Sequence, residues 1–151
     1  MQQLSPNWVI LLPIIGGVAV STQAAINGQL REQVNSPLVA AFVSFFVGTV
    51  LLGMLILLTR QQVPSLNQFV GIAPHKYLGG FLGAFFVTSI ILAVQRLSIA
   101  NMFALVITGQ LVIALLYDHF GLLGVRQNPI TLARLAGVAF LILGAYLINK
   151  K

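Results

Sequence analysis

The sequence predicts an all-α integral membrane protein with five transmembrane helices, on three observations. Of 151 residues, 58% are hydrophobic, and the mean hydropathy is +0.99. Charged residues make up 7%, against about 25% in soluble proteins. Apolar stretches long enough to cross a bilayer recur five times; a helix needs about 20 such residues to cross a hydrocarbon core of about 30 Å.

The first span is expected from about Trp8 to Asn27. Pro13 lies inside it and should free a carbonyl and allow a kink, which a membrane helix tolerates when its neighbours satisfy the backbone. The second span is expected from Pro37 to Thr59, with Asn35 and Ser36 as cap candidates. The third runs from Pro74 to Gln95, the fourth from Ser98 to Tyr117, and the fifth from Pro129 to Ile148, with Asn128 as its cap candidate. Pro6, Pro37, Pro74 and Pro129 lie at or just before first turns, where a missing N–H is harmless and the fixed φ favours helix. Met1 to Ser5 carry no basic side chain, so no signal peptide is expected. Gln61 to Ala73 form the one long connection, and its Leu66, Phe69, Val70 and Ile72 suit the membrane interface. Residues 1–151 read as one membrane domain without an internal repeat.

The charges are few and sit singly. A net charge of +6 arises from basic residues at helix ends, not from a basic run interleaved with aromatics, so nucleic acid is not an expected partner. Cysteine is absent, which excludes disulfides and thiolate chemistry. With five spans, the loops alternate between two sides. Side one holds Arg60, Lys76, Arg126 and Arg134; side two holds Arg31, Arg96, Lys150 and Lys151. Membrane proteins bias Lys and Arg to the cytoplasm, and that bias sets their orientation. This chain has almost none, so insertion both ways up is expected.

Small residues recur four apart: Gly17/Ser21 on the first span, Ser44/Gly48 and Thr49/Gly53 on the second. Gly79/Gly83 and Gly80/Ala84 lie on the third, and Ala133/Gly137 on the fifth. Lipid supplies no hydrophobic drive for helix association, so close backbone approach must serve; helix packing is the expected role of these pairs. Polar residues within spans say more. Gln23 and Asn27 share one helix face with Gly16 and Val20, and Gly80, Ala84, Thr88 and Gln95 form a similar stripe. Gln23, Asn27, Gln95 and Asn101 are placed nearer side two, and Thr49, Thr88 and Gln110 near mid-depth. Amides in hydrocarbon are costly unless paired. They bond other helices or line a cavity, and for Gln23 and Asn27 both readings stand. Asn101 and Gln110 are nine residues apart, roughly 180° around a helix, so they do not line one wall.

Two acids exist. Glu32 is expected to be solvated. Asp118 ends the fourth span, where the helix dipole disfavours negative charge, so a partner is expected in Arg126 or Arg134. With His119 beside it, the alternatives are a proton relay or an ion pair fixing the turn into the fifth span, and the ion pair is favoured. No acid lies at mid-membrane. No nucleophile elbow, phosphate loop or metal-spaced set occurs, so neither an enzyme nor a cofactor is expected.

The segments Gln23-Ala24-Ala25-Ile26-Asn27-Gly28, Ser44-Phe45-Phe46-Val47-Gly48-Thr49, Gly79-Gly80-Phe81-Leu82-Gly83-Ala84, Gly109-Gln110 and Asp118-His119-Phe120-Gly121 resemble the YdcZ-type proteins. These are small five-helix members of the drug/metabolite transporter superfamily, related in plan to the EamA proteins. The resemblance covers essentially the whole chain. It implies a transporter half in the bacterial inner membrane that exports a small organic solute. In ten-helix relatives, two inverted five-helix repeats surround a cleft lined by helices one to four of each half.

An odd span count without a repeat then acquires a meaning. Inverted-repeat transporters need two halves of opposite topology, and a chain inserting both ways supplies both as an antiparallel homodimer. Gln23, Asn27, Thr88, Gln95 and Gln110 are the expected substrate-binding residues, with Phe45, Phe46 and Phe85 as apolar contacts. The alternatives are a non-transporting membrane subunit, or one half of a heterodimer. The even charge split argues against the heterodimer.

Overall fold

The computed structural model describes residues 9–150. They form six α-helices, joined in places by 3-10 turns: α1 (Leu11–Val34), α2 (Pro37–Leu58), α3 (Leu66–Val70), α4 (Leu78–Ala93), α5 (Ile99–Phe120) and α6 (Leu132–Asn149). Five helices are long and apolar enough to cross a membrane; the third of them counts the 3-10 turn Pro74–Tyr77 together with α4. The chain divides between Arg96 and Leu97 into two compact units.

In the first unit, α1 runs seven residues past the expected end at Asn27 and reaches Val34. Hydropathy falls after Gly28, but Gln29, Leu30, Arg31, Glu32 and Gln33 are all good helix formers. Apolar length marks where a helix meets water, not where it stops. At its other end Pro13 falls in the first turn. Ile10 keeps right-handed dihedrals, φ −68° and ψ −28°, so the chain stays coiled where proline withholds its N–H. Trp8 and Pro6 lie outside the described residues.

The turn from α1 to α2 is Asn35 and Ser36. Asn35 takes the left-handed conformation at φ 52°, stopping α1, and Ser36 Oγ accepts from Val39 N at 3.3 Å with Pro37 at the first helical position. So short a turn makes α1 and α2 antiparallel neighbours. Ala40 and Ala41 on α2 and Ile91 on α4 form the buried core, with Leu30, Val34 and Val87 packed on it. Alanine there lets three helices approach closely near one end. Elsewhere large apolar side chains face outward: Leu57 is 77% and Phe42 69% exposed, as lipid-facing surface should be.

Past α2, Arg60 turns left-handed at φ 51°. The Ser65 and Gln68 pair caps α3, and Tyr77 Oη donates to Phe69 O at 2.9 Å, tying α3 to the turn before α4. Leu66 and Val70 are strongly exposed on α3.

In the second unit, Ser98 Oγ accepts from Asn101 N at 3.2 Å to start α5. Gly121 ends α5 at φ 62°, and Leu123 and Gly124 also take positive φ in the connection. The cap of the last helix is Thr131, whose Oγ1 accepts from Arg134 N at 3.3 Å. Asn128 does not cap: its N–H donates to Asp118 O at 2.7 Å, so it serves the end of α5 instead. Asn149 Nδ2 donates to Asn101 O at 3.4 Å, joining the end of α6 to the start of α5. The two helices are antiparallel.

Candidate functional site

The longer α1 extends the polar ladder read from the sequence. Gln23 falls twelve residues from Leu11 and eleven from Val34, at the middle of the helix. Asn27 and Arg31 follow at one-turn intervals on the same face. The three side chains differ in surroundings. Gln23 is exposed, with Nε2 donating to Ser44 Oγ on α2 at 3.4 Å. Asn27 is 4% exposed, the one buried polar side chain among the described residues. Its amide bonds no described residue. Arg31 is half-buried, and its Nη1 donates to Gln95 Oε1 at 2.7 Å.

Gln95 stands in the turn just past α4, which ends at Ala93. It reaches α1 because Gly28 lets the helices close: a Cβ there would meet Val94 Cγ1 at 3.0 Å and Gln95 Nε2 at 4.0 Å. Thr88, half-buried on α4, is the unbonded threonine. Thr22, Thr49, Thr59 and Thr108 each donate to the carbonyl four residues back, as hydroxyls in helices commonly do. Thr131 caps α6; Thr88 bonds no described residue. Gln23, Asn27, Thr88 and Gln95 thus belong to one unit, with Asn27, Gln95 and Arg31 where α1 and α4 cross. Gln110 lies in the other unit, exposed at the middle of α5 without a described partner.

Arg31 is absent from the residues picked as a site on sequence. The available signal was its four-residue spacing from Asn27; its charge and the expected helix end at Asn27 concealed it. Of the small residues, Gly83 packs against α2, where a Cβ would sit 3.6 Å from the Phe45 ring. Gly17, Gly48, Gly53, Gly79, Gly80 and Gly137 have open space at that position, so packing within the chain accounts for few of the pairs. Phe46 stacks on Phe42 with centroids 6.3 Å apart, and Phe85 is strongly exposed.

Asp118 resolves between its two candidate partners. Arg134 Nη2 donates to Asp118 Oδ2, and Arg134 Nη1 to Asn128 O at 2.9 Å. Arg126 instead lines, with Asp118, Gln127 and Asn128, a polar hollow of about 350 Å³. His119 is tied into the same connection: its Nδ1 accepts from Ile130 N at 3.1 Å, and its carbonyl from Gln127 Nε2 at 3.0 Å. The ion pair therefore does fix the turn from α5 to α6. No set of three metal-ligating side chains occurs among the described residues.

Five apolar spanning helices, with isolated amides and hydroxyls in place of a catalytic constellation, define a multi-pass membrane protein. The chain belongs to the family described as "Putative inner membrane exporter, YdcZ", whose model matches residues 8–147. That is an exporter family and not an enzyme family, and this is a multi-pass protein of the inner membrane. No curated protein and no solved structure matches the chain.

Proposed function

We propose that the chain is one half of a secondary transporter that exports a small organic solute. Two copies in opposite orientations pair as an antiparallel homodimer and work by alternating access. The observation that carries this reading is the even split of eight Lys and Arg residues across five spans, which leaves no orientation signal. The contacts support the side assignments. Arg31 meets Gln95, next to Arg96, at one end of the first unit; Arg134 meets Asp118, close to Arg126, at one end of the second. Discounting Arg134, which is paired and on a helix, leaves three against four, still too small a bias to fix one orientation.

Exposed amides give a second line of support. Gln23 and Gln110 sit at the middle of spanning helices yet are exposed on the single chain. Amides facing hydrocarbon are costly, and a second copy enclosing a watered cleft removes that cost. A non-transporting subunit would pack its amides shut. The bond between Arg31 and Gln95 is of that kind, but Asn27, Thr88 and Gln110 bond no described residue.

The test fuses the C-terminus to a reporter active only in the cytoplasm and, separately, to one active only outside it. Both fusions are expected to be active, and activity of one alone overturns dual topology. Three lysines added between Gln61 and Pro64 should then hold side one in the cytoplasm and silence one reporter.

A further inference from the structure

Arg31 is a cation without a counter-ion among the described residues. The one ion pair among the described residues joins Asp118 and Arg134 in the other unit. Glu32, next to Arg31 along the chain, is exposed and pairs with no described cation. The guanidinium presents five N–H donors and no acceptor. Nη1 donates to the neutral Gln95 amide at 2.7 Å, while Nε is buried without an acceptor. A buried charged donor left unpaired is among the more costly arrangements in a protein. A carboxylate or phosphate group relieves it, because two oxygens match the guanidinium fork in a bidentate pair.

The neighbours fit the same ligand. Asn27 lies one turn before Arg31, 4% exposed, with its amide unbonded among the described residues. Its Nδ2 offers two further donors. Gln95 Oε1 holds one arm of the fork, which leaves the other arm for a ligand. Gly28 keeps the crossing of α1 and α4 close enough for that contact. The sequence has no matching provision for a cation. Its two acids are Glu32, exposed at the end of α1, and Asp118, already paired.

We propose that Arg31 and Asn27, with Gln95 orienting the guanidinium, form a binding site for the oxyanion group of the transported solute, a carboxylate or a phosphate on a small organic molecule. This rests on the transporter reading above. Arg31 lies in the last turns of α1, so the site belongs at the side-two mouth of the pathway, where a solute exchanges water for protein. A phospholipid headgroup carries the same chemistry, and the test separates the two sources.

The full chain is purified in a neutral maltoside detergent, and its unfolding temperature is measured against benzoate, phenyl phosphate, benzylamine, benzyl alcohol and phosphatidylglycerol. Benzoate or phenyl phosphate is expected to raise it along a saturating curve, since a ligand that binds only the folded state stabilises it; benzylamine and benzyl alcohol are expected to do nothing. Arg31→Gln should abolish the response. Arg31→Lys, which keeps the charge but not the fork, should weaken it by roughly tenfold, the worth of about one charge-assisted bond. Gln95→Leu should weaken it less. Arg31→Lys carries the test if Arg31→Gln does not fold. An equal response in the Arg31 variants overturns the proposal, as does a response to benzylamine, or none to either oxyanion. A shift with phosphatidylglycerol alone, lost in Arg31→Lys, assigns the site to a lipid headgroup and overturns the solute. The reporter fusions do not depend on ligand binding, so dual topology without an oxyanion response sinks this site and spares the transporter reading.

Discussion

Arg134 holds Asp118 with one guanidinium nitrogen and the Asn128 carbonyl with the other. A single side chain in the first turn of α6 thereby closes the end of α5 onto the connection that follows it. The carboxylate stands at the negative end of its helix dipole, and the guanidinium beside it offsets that placement. Both side chains are about one-third exposed, at 34% and 30%, so water screens the pair.

A double-mutant cycle on Asp118→Ala and Arg134→Ala should therefore give a coupling of about 1 kcal/mol, the upper range for a partly exposed pair. The same cycle on Asp118 and Arg126 should give almost none, because Arg126 lines the hollow without bonding the carboxylate. Reversible unfolding in detergent measures both. Comparable couplings would mean that the carboxylate is shared between the two arginines.

Gly28 makes a second, steric prediction. A Cβ there lies 3.0 Å from Val94 Cγ1, and the β-branched valine has few rotamers with which to retreat. Gly28→Leu should destabilise the first unit by about 1–3 kcal/mol through overpacking. Val94→Ala in the same chain should recover much of the loss. Gly53→Ala meets nothing within 4 Å and should be neutral or mildly stabilising, since alanine is the better helix former. Thermal unfolding of the three variants decides the matter, and equal effects at Gly28 and Gly53 would remove the close crossing from the account.

The five spans were legible because apolar length is a local property that membrane thickness converts directly into a helix. The turn at Ser36 and Pro37 was legible for the same reason: cap and proline are neighbours in sequence. The reach of α1 to Val34 was not, since hydropathy falls after Gly28 while helix propensity does not. Contacts of long sequence separation were also hidden. Arg31 and Gln95 are 64 residues apart, and nothing local to either names the other. Asp118 had two candidate arginines, and the choice depended on Thr131 starting α6 late enough to place Arg134 in its first turn. The small-residue pairs read as packing motifs, but spacing does not say which face meets a neighbour, and of their glycines only Gly83 meets one closely among the described residues.

Asn27 separates the structural from the ligand-binding role of its own stripe. Asn27 is 4% exposed and its amide bonds no described residue, so it returns little to the folded state for the hydration it gives up, a net cost. If it serves only packing, leucine, of similar volume, relieves that cost, and Asn27→Leu should raise stability by about 1–3 kcal/mol with no other consequence. If it serves an oxyanion held by Arg31, the same substitution should raise stability and also weaken the benzoate or phenyl phosphate response. The expected outcome is both changes together, read in one experiment as a higher unfolding temperature without ligand and a smaller shift with it. Lower stability in Asn27→Leu would show instead that the amide bonds a group within the folded protein, and its place in the site would be lost.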